Sequence, residues 1–199
     1  MRELRDEKLL SDAIINSVML LINCRSERTG SKVFCFSTYF YYLLSRNKDL
    51  VGNTTTIINW LEKRNIDLTA FDKVIVPLQV HNNHWTLAVL NIKEKKIEYL
   101  DSLITNAGTI TGLRIIADLQ FFYDRVCVTT KVPENCTNWT IDMFSKKNLP
   151  QQCNGKDCGV FLCTFASLAS LDKPYDSLTG GNMTKYRRMI ASCIFYKKI

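Results

Sequence analysis

Apolar residues recur along this chain with two spacings, which predict a mixture of helices and strands. From about Asp6 to Cys24 they return every three or four positions, the pattern of one buried helix face. Short β-branched and aliphatic runs between charged or turn residues predict strands. The predicted helices lie near Asp6–Cys24, Tyr39–Ser45, Thr54–Lys63, Thr111–Tyr123, Val160–Leu171 and Met183–Phe195. The predicted strands lie near Lys73–Leu78, Trp85–Ile92, Lys96–Leu100, Val126–Lys131 and Thr140–Phe144.

The pattern is continuous and predicts one α+β domain that spans residues 1–199. No linker, internal repeat or low-complexity stretch interrupts it, and 46% of the 199 residues are hydrophobic, enough to bury a core without disulfides. No apolar run approaches the ~18 residues of a membrane span. The N-terminal segment is too charged for a signal peptide. We therefore expect a soluble protein of the nucleus or cytoplasm, and we take it to be a monomer.

Charge and cysteine spacing argue against two classes of function. The net charge is +7, but the basic residues are dispersed and no aromatic residues are interleaved with them. A base-stacking surface requires such interleaving, so we expect no nucleic-acid partner. The eight cysteines form no CxxC pair and lie far in sequence from the only two histidines. We therefore expect no metal, no cofactor and eight reduced thiols.

One cysteine lies in a segment that favours nucleophilic chemistry. Cys158 stands between Asp157 and Gly159, directly ahead of the apolar run Val160–Leu171, so it is predicted on the first turn of a buried helix. Unpaired N–H groups and the positive end of the helix dipole favour the thiolate there. Glycines at 155 and 159 permit close approach of backbone to a substrate. The ordinary alternative is a small buried cysteine in a core helix.

A histidine and a carboxylate are predicted to meet at one edge of the sheet. His84 opens one predicted strand, whereas His81 lies in the polar turn before it, where a solvated side chain is expected. The next strand ends at Asp101, after a short charged turn. In a hairpin around that turn, His84 lies beside Asp101, which can orient the imidazole and stabilise its protonated form. With Cys158 they supply a nucleophile, a base and an orienting group.

A side-chain amide completes this set of candidates. Gln152 stands six residues before Cys158 and could donate to the oxyanion of a tetrahedral intermediate, beside the Cys158 N–H. One such donor is worth roughly 2.7–4 kcal/mol where it has been measured. Gln151 is an equal candidate for that role at the level of sequence.

These motifs, in this order, resemble the ubiquitin-like-protein proteases, the sentrin (SUMO)-specific cysteine peptidases. The resemblance covers nearly the whole chain, and the combined set is highly specific. It is carried by His84-Trp85, Asp101-Ser102, Pro150-Gln151-Gln152, Asn154-Gly155 and Asp157-Cys158-Gly159, with Ser11–Asn16, Val74–Leu78 and Phe144–Lys147 as further matches.

The resemblance implies a papain-like cysteine protease fold, a central mixed sheet flanked by helices, with the site residues in the permuted order His, Asp, Gln, Cys. It implies that His84, Asp101 and Cys158 form the triad and that Gln152 binds the oxyanion. Trp85 would line a tunnel that clamps a Gly-Gly tail, and the partner would be a SUMO-like modifier and its conjugates. The remaining substrate-binding candidates are Leu9, Asp12, Gln151 and Gly155.

Several positions depart from the family pattern, and they bear on which modifier is cut. Leu9 stands where members usually carry a tryptophan, and Asn59-Trp60 stands for an Arg-Trp pair. Gln79 replaces a common histidine, and the N-terminal strand that helps grip the modifier is expected to be absent. Cleavage of a neddylation-type modifier or of ubiquitin is therefore an alternative. An acetyltransferase effector, an inactive binding module and a secreted effector acting in a host cell are the others.

Overall fold

A mixed five-stranded sheet forms the centre of the protein in the computed structural model, which describes residues 1–5, 7–81, 83–132, 138–143, 149–178 and 182–199. The strands lie in the sheet in chain order. The outer pairs β1–β2 and β4–β5 are parallel, whereas β2–β3 and β3–β4 are antiparallel. The strands are β1 Val33–Cys35, β2 Lys73–Val80, β3 His84–Asn91, β4 Lys96–Leu100 and β5 Thr140–Met143.

Helices cover both faces of this sheet. The helices α2, α6 and α7 pack together on one face, and α3, α4 and α5 pack on the other. Among the described residues, no helix combines the length and apolar character needed to cross a bilayer. The helices are α1 Arg2–Arg5, α2 Asp12–Thr29, α3 Tyr39–Leu44, α4 Leu50–Glu62, α5 Asn106–Thr130, α6 Cys158–Ala169 and α7 Met183–Tyr196.

Strand β3 is buried on both faces, which explains its nearly continuous apolar sequence. Trp85, Leu87 and Val89 point into one hydrophobic core, with α2 and α6. Ala88 and Leu90 point into the second core, with α3, α4 and α5. Because side chains alternate along a strand, a strand covered on both sides needs apolar residues at every position. The centre of the sheet is therefore a firm support for His84, the first residue of β3.

Helix α6 is a core helix whose N-terminus lies close to other backbone. Nine of its twelve residues are buried, and it packs on β3. At Gly159 a Cβ atom would lie 2.9 Å from the Cβ of Leu10, so only glycine fits the close approach of α6 to the segment before α2. At Gly155 a Cβ would meet nothing within 4 Å. Close packing of the chain therefore requires glycine at position 159 and does not require it at position 155.

The fold class predicted from the sequence is confirmed, but several elements differ from prediction. The strand β1 and the short helix α1 were not predicted. The first long helix begins at Asp12 instead of Asp6 and continues to Thr29, where Gly30 ends it in the left-handed conformation (φ 72°). The strand predicted at Val126–Lys131 is wrong, because α5 continues through it to Thr130. The predicted end of the last strand, Phe144, lies outside the described residues.

The error in α5 has a clear physical cause. The run Val126 to Thr130 is rich in β-branched residues, which favour strands. Val126 and Cys127 nevertheless continue the buried helical face of Leu119, Phe122 and Tyr123, at spacings of three and four. Burial of that face against the sheet outweighs the local preference.

Candidate active site

The β3–β4 hairpin brings His84 and Asp101 together, as predicted. The strands pair antiparallel, with Leu87 opposite Leu100, so the first residue of β3 lies beside the residue that follows β4. The His84 Nε2 and Asp101 Oδ1 atoms are 2.6 Å apart. Asp101 is only 4% exposed, and its Oδ1 also accepts the Leu103 N–H at 2.8 Å. The carboxylate is thus fixed from two sides and sets the orientation of the imidazole.

Helix α6 presents Cys158 to the other side of that imidazole. Cys158 is the first residue of the helix and is 1% exposed. Its side chain lies close enough to His84 to raise the pKa of the imidazole. Because Nε2 faces Asp101, the ring nitrogen that remains for the sulfur is Nδ1. The predicted nucleophile, base and orienting carboxylate therefore form one connected chain between a helix and the sheet.

The groups around His84 favour the protonated form of its imidazole. Burial of the His84 ring lowers its pKa, but the hydrogen bonds to Asp101 and Cys158 and the charges of these two groups outweigh it. Together they raise the pKa of His84 to about 9. An imidazolium held beside a cysteine stabilises the thiolate, the nucleophilic form of the sulfur.

Gln152 is buried, and one N–H of its side-chain amide has no acceptor among the described residues. Its Oε1 accepts from the Ser102 hydroxyl at 2.7 Å, and its Nε2 donates to the Asn154 carbonyl at 2.5 Å. Within the described residues that is the one bond Nε2 donates. Since an amide nitrogen carries two hydrogens, a second donor is available to a bound group.

Gln151 makes a different set of contacts. Its Nε2 donates to the Asp101 carbonyl at 3.1 Å, and its Oε1 accepts the Ile104 N–H at 3.0 Å. Both ends of the amide thus hold the turn that carries Asp101. The structure therefore separates two glutamines that the sequence leaves equivalent, with Gln151 bonded to the protein backbone and Gln152 left with a spare donor.

The candidates for substrate contact lie around Trp85 and the segment before α2. The Trp85 indole is 4% exposed and donates to the Leu10 carbonyl at 2.9 Å. Leu9 beside it is 43% exposed. Trp85 and Asp12 line a cavity of about 350 Å³, and the Tyr39 hydroxyl donates to Asp12 at 3.4 Å. Trp85 and Asp12 thus share one cavity, whereas Leu9 and the triad residues are not part of its described lining.

One residue with a central position was missed by the sequence reasoning. Arg187 on α7 is 1% exposed and pairs with Asp157, the residue before Cys158, at 2.6 Å. A signal was present, because Arg187 occupies the helical spacing of Met183, Ile190 and Ile194, on the apolar side of the helix. A charged residue on such a face is buried and paired.

The cysteines differ from expectation at one position. Cys127 is disulfide-bonded, so the expectation of eight reduced thiols is wrong there. Cys136 lies outside the described residues. The described residues contain no cluster of histidine, cysteine or acidic side chains that could hold a metal ion. The free cysteines are Cys24, Cys35, Cys153, Cys158, Cys163 and Cys193.

Fold and site together define a class of protein. A cysteine at the start of a helix faces a histidine–aspartate pair on a mixed sheet, and the residues follow in the chain order His, Asp, Gln, Cys. This is the papain-like arrangement with its segments permuted. The sequence profile of the Ulp1 protease family, C-terminal catalytic domain, matches residues 8–196. The chain belongs to this family.

Known relatives agree with that membership. A sentrin-specific protease of Caenorhabditis elegans is 33% identical over 96% of this chain, and sentrin-specific protease 2 of Mus musculus is 29% identical over 98%. The chain spans 25% and 31% of the lengths of these two relatives. The solved C-terminal Ulp1 protease domain in complex with Smt3, the yeast orthologue of SUMO, matches with a TM-score of 0.79 and 26% identity, over 98% of this chain and 80% of that one.

Proposed function

We propose that this protein is a cysteine peptidase and isopeptidase that cleaves after the C-terminal Gly-Gly of a SUMO-like modifier. The observation that carries the proposal is the position of His84, whose Nε2 lies 2.6 Å from Asp101 and whose pKa is raised by Asp101 and by Cys158 at the start of α6. This is the geometry of an activated thiol nucleophile with an oriented base. Relatives named as sentrin-specific proteases support the same chemistry.

The steps follow from the positions of the groups. The Cys158 sulfur attacks the glycine carbonyl, and the carbonyl electron pair moves onto its oxygen. The Gln152 amide and the Cys158 N–H, unpaired at the start of α6, donate to that oxyanion. His84 gives its proton to the leaving amine, which departs as the thioester forms. His84 then takes a proton from water, which attacks the thioester and releases the modifier with a free carboxylate.

Access to the sulfur supports a tail without side chains. Cys158 is 1% exposed, the Trp85 indole is buried and bonded to the Leu10 carbonyl, and Leu10 packs against Gly159 next to Cys158. Two consecutive glycines form the slimmest chain that can reach such a site. We propose that Trp85 and Leu9 flank this tail and that Asp12 contacts the body of the modifier.

The departure at position 59 is compensated in part by a neighbouring residue. Trp60 is 41% exposed, and the guanidinium of Arg64 lies 4.5 Å from the centroid of its ring. A cation therefore stays beside this tryptophan although Asn59 is neutral.

We propose a SUMO-like modifier over ubiquitin, protein conjugates over nucleic acid as partners, and the nucleus or cytoplasm as the place of action.

Covalent trapping tests this function directly. SUMO, a neddylation-type modifier and ubiquitin, each ending in a C-terminal electrophile, are incubated with wild type, Cys158→Ala and Cys153→Ala. We expect a SUMO adduct with wild type and with Cys153→Ala, whose exposed thiol lies five residues away, and none with Cys158→Ala. An adduct that persists in Cys158→Ala contradicts the nucleophile, and an adduct with ubiquitin alone contradicts the modifier.

A further inference from the structure

The guanidinium of Arg187 joins three separate parts of the chain. Its Nε and Nη2 donate to Asp157 Oδ1 at 3.2 and 2.6 Å, and Nη2 also donates to the Lys156 carbonyl at 3.1 Å. Its Nη1 donates to the carbonyls of Glu3 and Lys8 at 3.1 and 2.8 Å. The group is therefore fully used and has one possible position, even though its helix, α7, contributes no residue to the triad.

The Asp157 side chain does not make the hydrogen bond that is usual for an aspartate at the start of a helix. It is the N-cap residue of α6, and aspartate is among the residues that most often cap a helix with their own carboxylate. Here the side chain makes no capping hydrogen bond. One oxygen is bound by Arg187, and the other accepts from Asn154 Nδ2 at 2.7 Å. The carboxylate is thus drawn away from the first turn of the helix that carries Cys158.

The first turn of α6 is where the negative charge of the reaction develops. The Val160 and Phe161 N–H groups bond back to the Asp157 carbonyl at 2.9 and 3.0 Å, whereas the Cys158 and Gly159 N–H groups precede them and have no backbone acceptor in the described part of the chain. A carboxylate folded over this turn would occupy that acceptor position. It would also place a negative charge beside the oxyanion and beside the thiolate.

We propose that Arg187 is a positioning residue that holds the Asp157 carboxylate off the N-terminus of α6 and so keeps the oxyanion site open. This inference rests on the proposed function, because it concerns the same tetrahedral intermediate. Arg187 touches no reacting atom and acts through Asp157. Its bonds to the carbonyls of Glu3 and Lys8 stabilise the guanidinium in the position that makes this possible.

The test compares hydrolysis of a fluorogenic SUMO C-terminal substrate by wild type and by Arg187 variants. For Arg187→Met we expect kcat to fall on the order of 10- to 100-fold, less than the about 10²- to 10³-fold that loss of an oxyanion donor itself costs, with KM changed much less. Arg187→Lys keeps a cation beside Asp157 and should lose less. Arg188→Met, at the exposed neighbouring arginine, should match wild type.

Two double variants separate positioning from simple loss of a buried charge pair. Arg187→Met with Asp157→Asn and Arg187→Met with Asp157→Ala both remove the carboxylate charge, but only asparagine can still cap the helix. We expect the alanine double variant to recover kcat and the asparagine one to recover less. Equal recovery, or no recovery by alanine, would overturn the proposal.

Folding is followed by thermal unfolding, so that kcat refers to folded protein. Where Arg187→Met does not fold, the two double variants decide: a higher kcat with Asp157→Ala than with Asp157→Asn supports the proposal, and an equal kcat overturns it. If wild type hydrolyses the substrate and Arg187→Met has the same kcat, this inference alone is overturned. Absence of turnover in wild type overturns the proposed function, and the inference with it.

Discussion

At the scale of single residues, His84 links the two halves of the site. Asp101 lies on the sheet side and Cys158 on the helix side, and both raise the pKa of the imidazole against the effect of burial. The protonated form therefore persists to about pH 9. In the proposed mechanism the ring acts first as a cation beside the sulfur and delivers its proton only when the amine leaves.

The pKa of His84 gives a pH dependence with a definite sign. Because the folded-state pKa is about 9 and the unfolded value about 6.5, the stabilisation is complete below pH 6.5 and is lost as pH rises to 9. We expect the advantage of wild type over His84→Gln in free energy of unfolding to shrink over this window by at most about 3 kcal/mol. Urea unfolding at pH 6, 7.5 and 9.5 measures it.

If the advantage of wild type over His84→Gln in free energy of unfolding grew as pH rises, the predicted pH dependence would be contradicted. An NMR titration adds a second check, since the chain has only two histidines. Cys158→Ala removes a group beside His84 that raises the pKa of the imidazole. We therefore expect the pKa of His84 to be lower in this variant than in wild type. An unchanged His84 titration would mean that Cys158 does not contribute.

The two glutamines give a second prediction at this scale. Gln152→Ala should lower kcat by about 10²- to 10³-fold, as loss of one oxyanion donor does elsewhere, and should also lower the melting temperature because the buried Ser102 hydroxyl loses its acceptor. Gln151→Ala removes the bonds to the Asp101 and Ile104 backbone, so it should lower the melting temperature and reduce kcat less. Kinetics and thermal unfolding on both variants measure this, and the reverse ranking in kcat would assign the oxyanion role to Gln151.

At the scale of elements, the site is a meeting of one hairpin with one helix end. The hairpin and the start of α6 are predictable from sequence, because turn length and apolar runs define them locally. The burial of Arg187 depends on contacts of α7 with the N-terminal segment and Asp157, which no local pattern contains. The different roles of Gln151 and Gln152 depend likewise on where the turn after β4 lies.

A pair of glycines tests the packing of α6. At Gly159 an added Cβ would lie 2.9 Å from Leu10, so Gly159→Ala should destabilise the protein by about 1–3 kcal/mol, as overpacking does. The same shift should displace Leu10 and its bond to Trp85, and so lower kcat/KM. Gly155→Ala is the matched control, because nothing lies within 4 Å, and should stay within about 0.5 kcal/mol of wild type. Urea denaturation measures both, and equal values would refute the close contact.

At the scale of the whole molecule, the sheet is buried on both faces and the surface carries a net charge of +7. The two cores hold the sheet between six helices. The excess of positive charge favours encounter with acidic proteins through long-range attraction.

That charge predicts a salt effect on encounter. We expect kcat/KM for an acidic protein modifier to fall as NaCl rises from 20 to 300 mM, because the Debye length shortens below about 10 Å above 0.1 M. A neutral Gly-Gly peptide substrate of the same chemistry serves as the control and should change little. Equal salt dependence for the two substrates would show that long-range attraction does not contribute.

The order of the strands has a consequence for synthesis of the protein. Because the sheet order follows the chain order, each strand can be added to an edge that already exists as the polypeptide leaves the ribosome. The His84–Asp101 pair can thus be built before Cys158, on the later helix α6, has been translated. The growing chain therefore holds the proposed base and its carboxylate before it contains the proposed nucleophile.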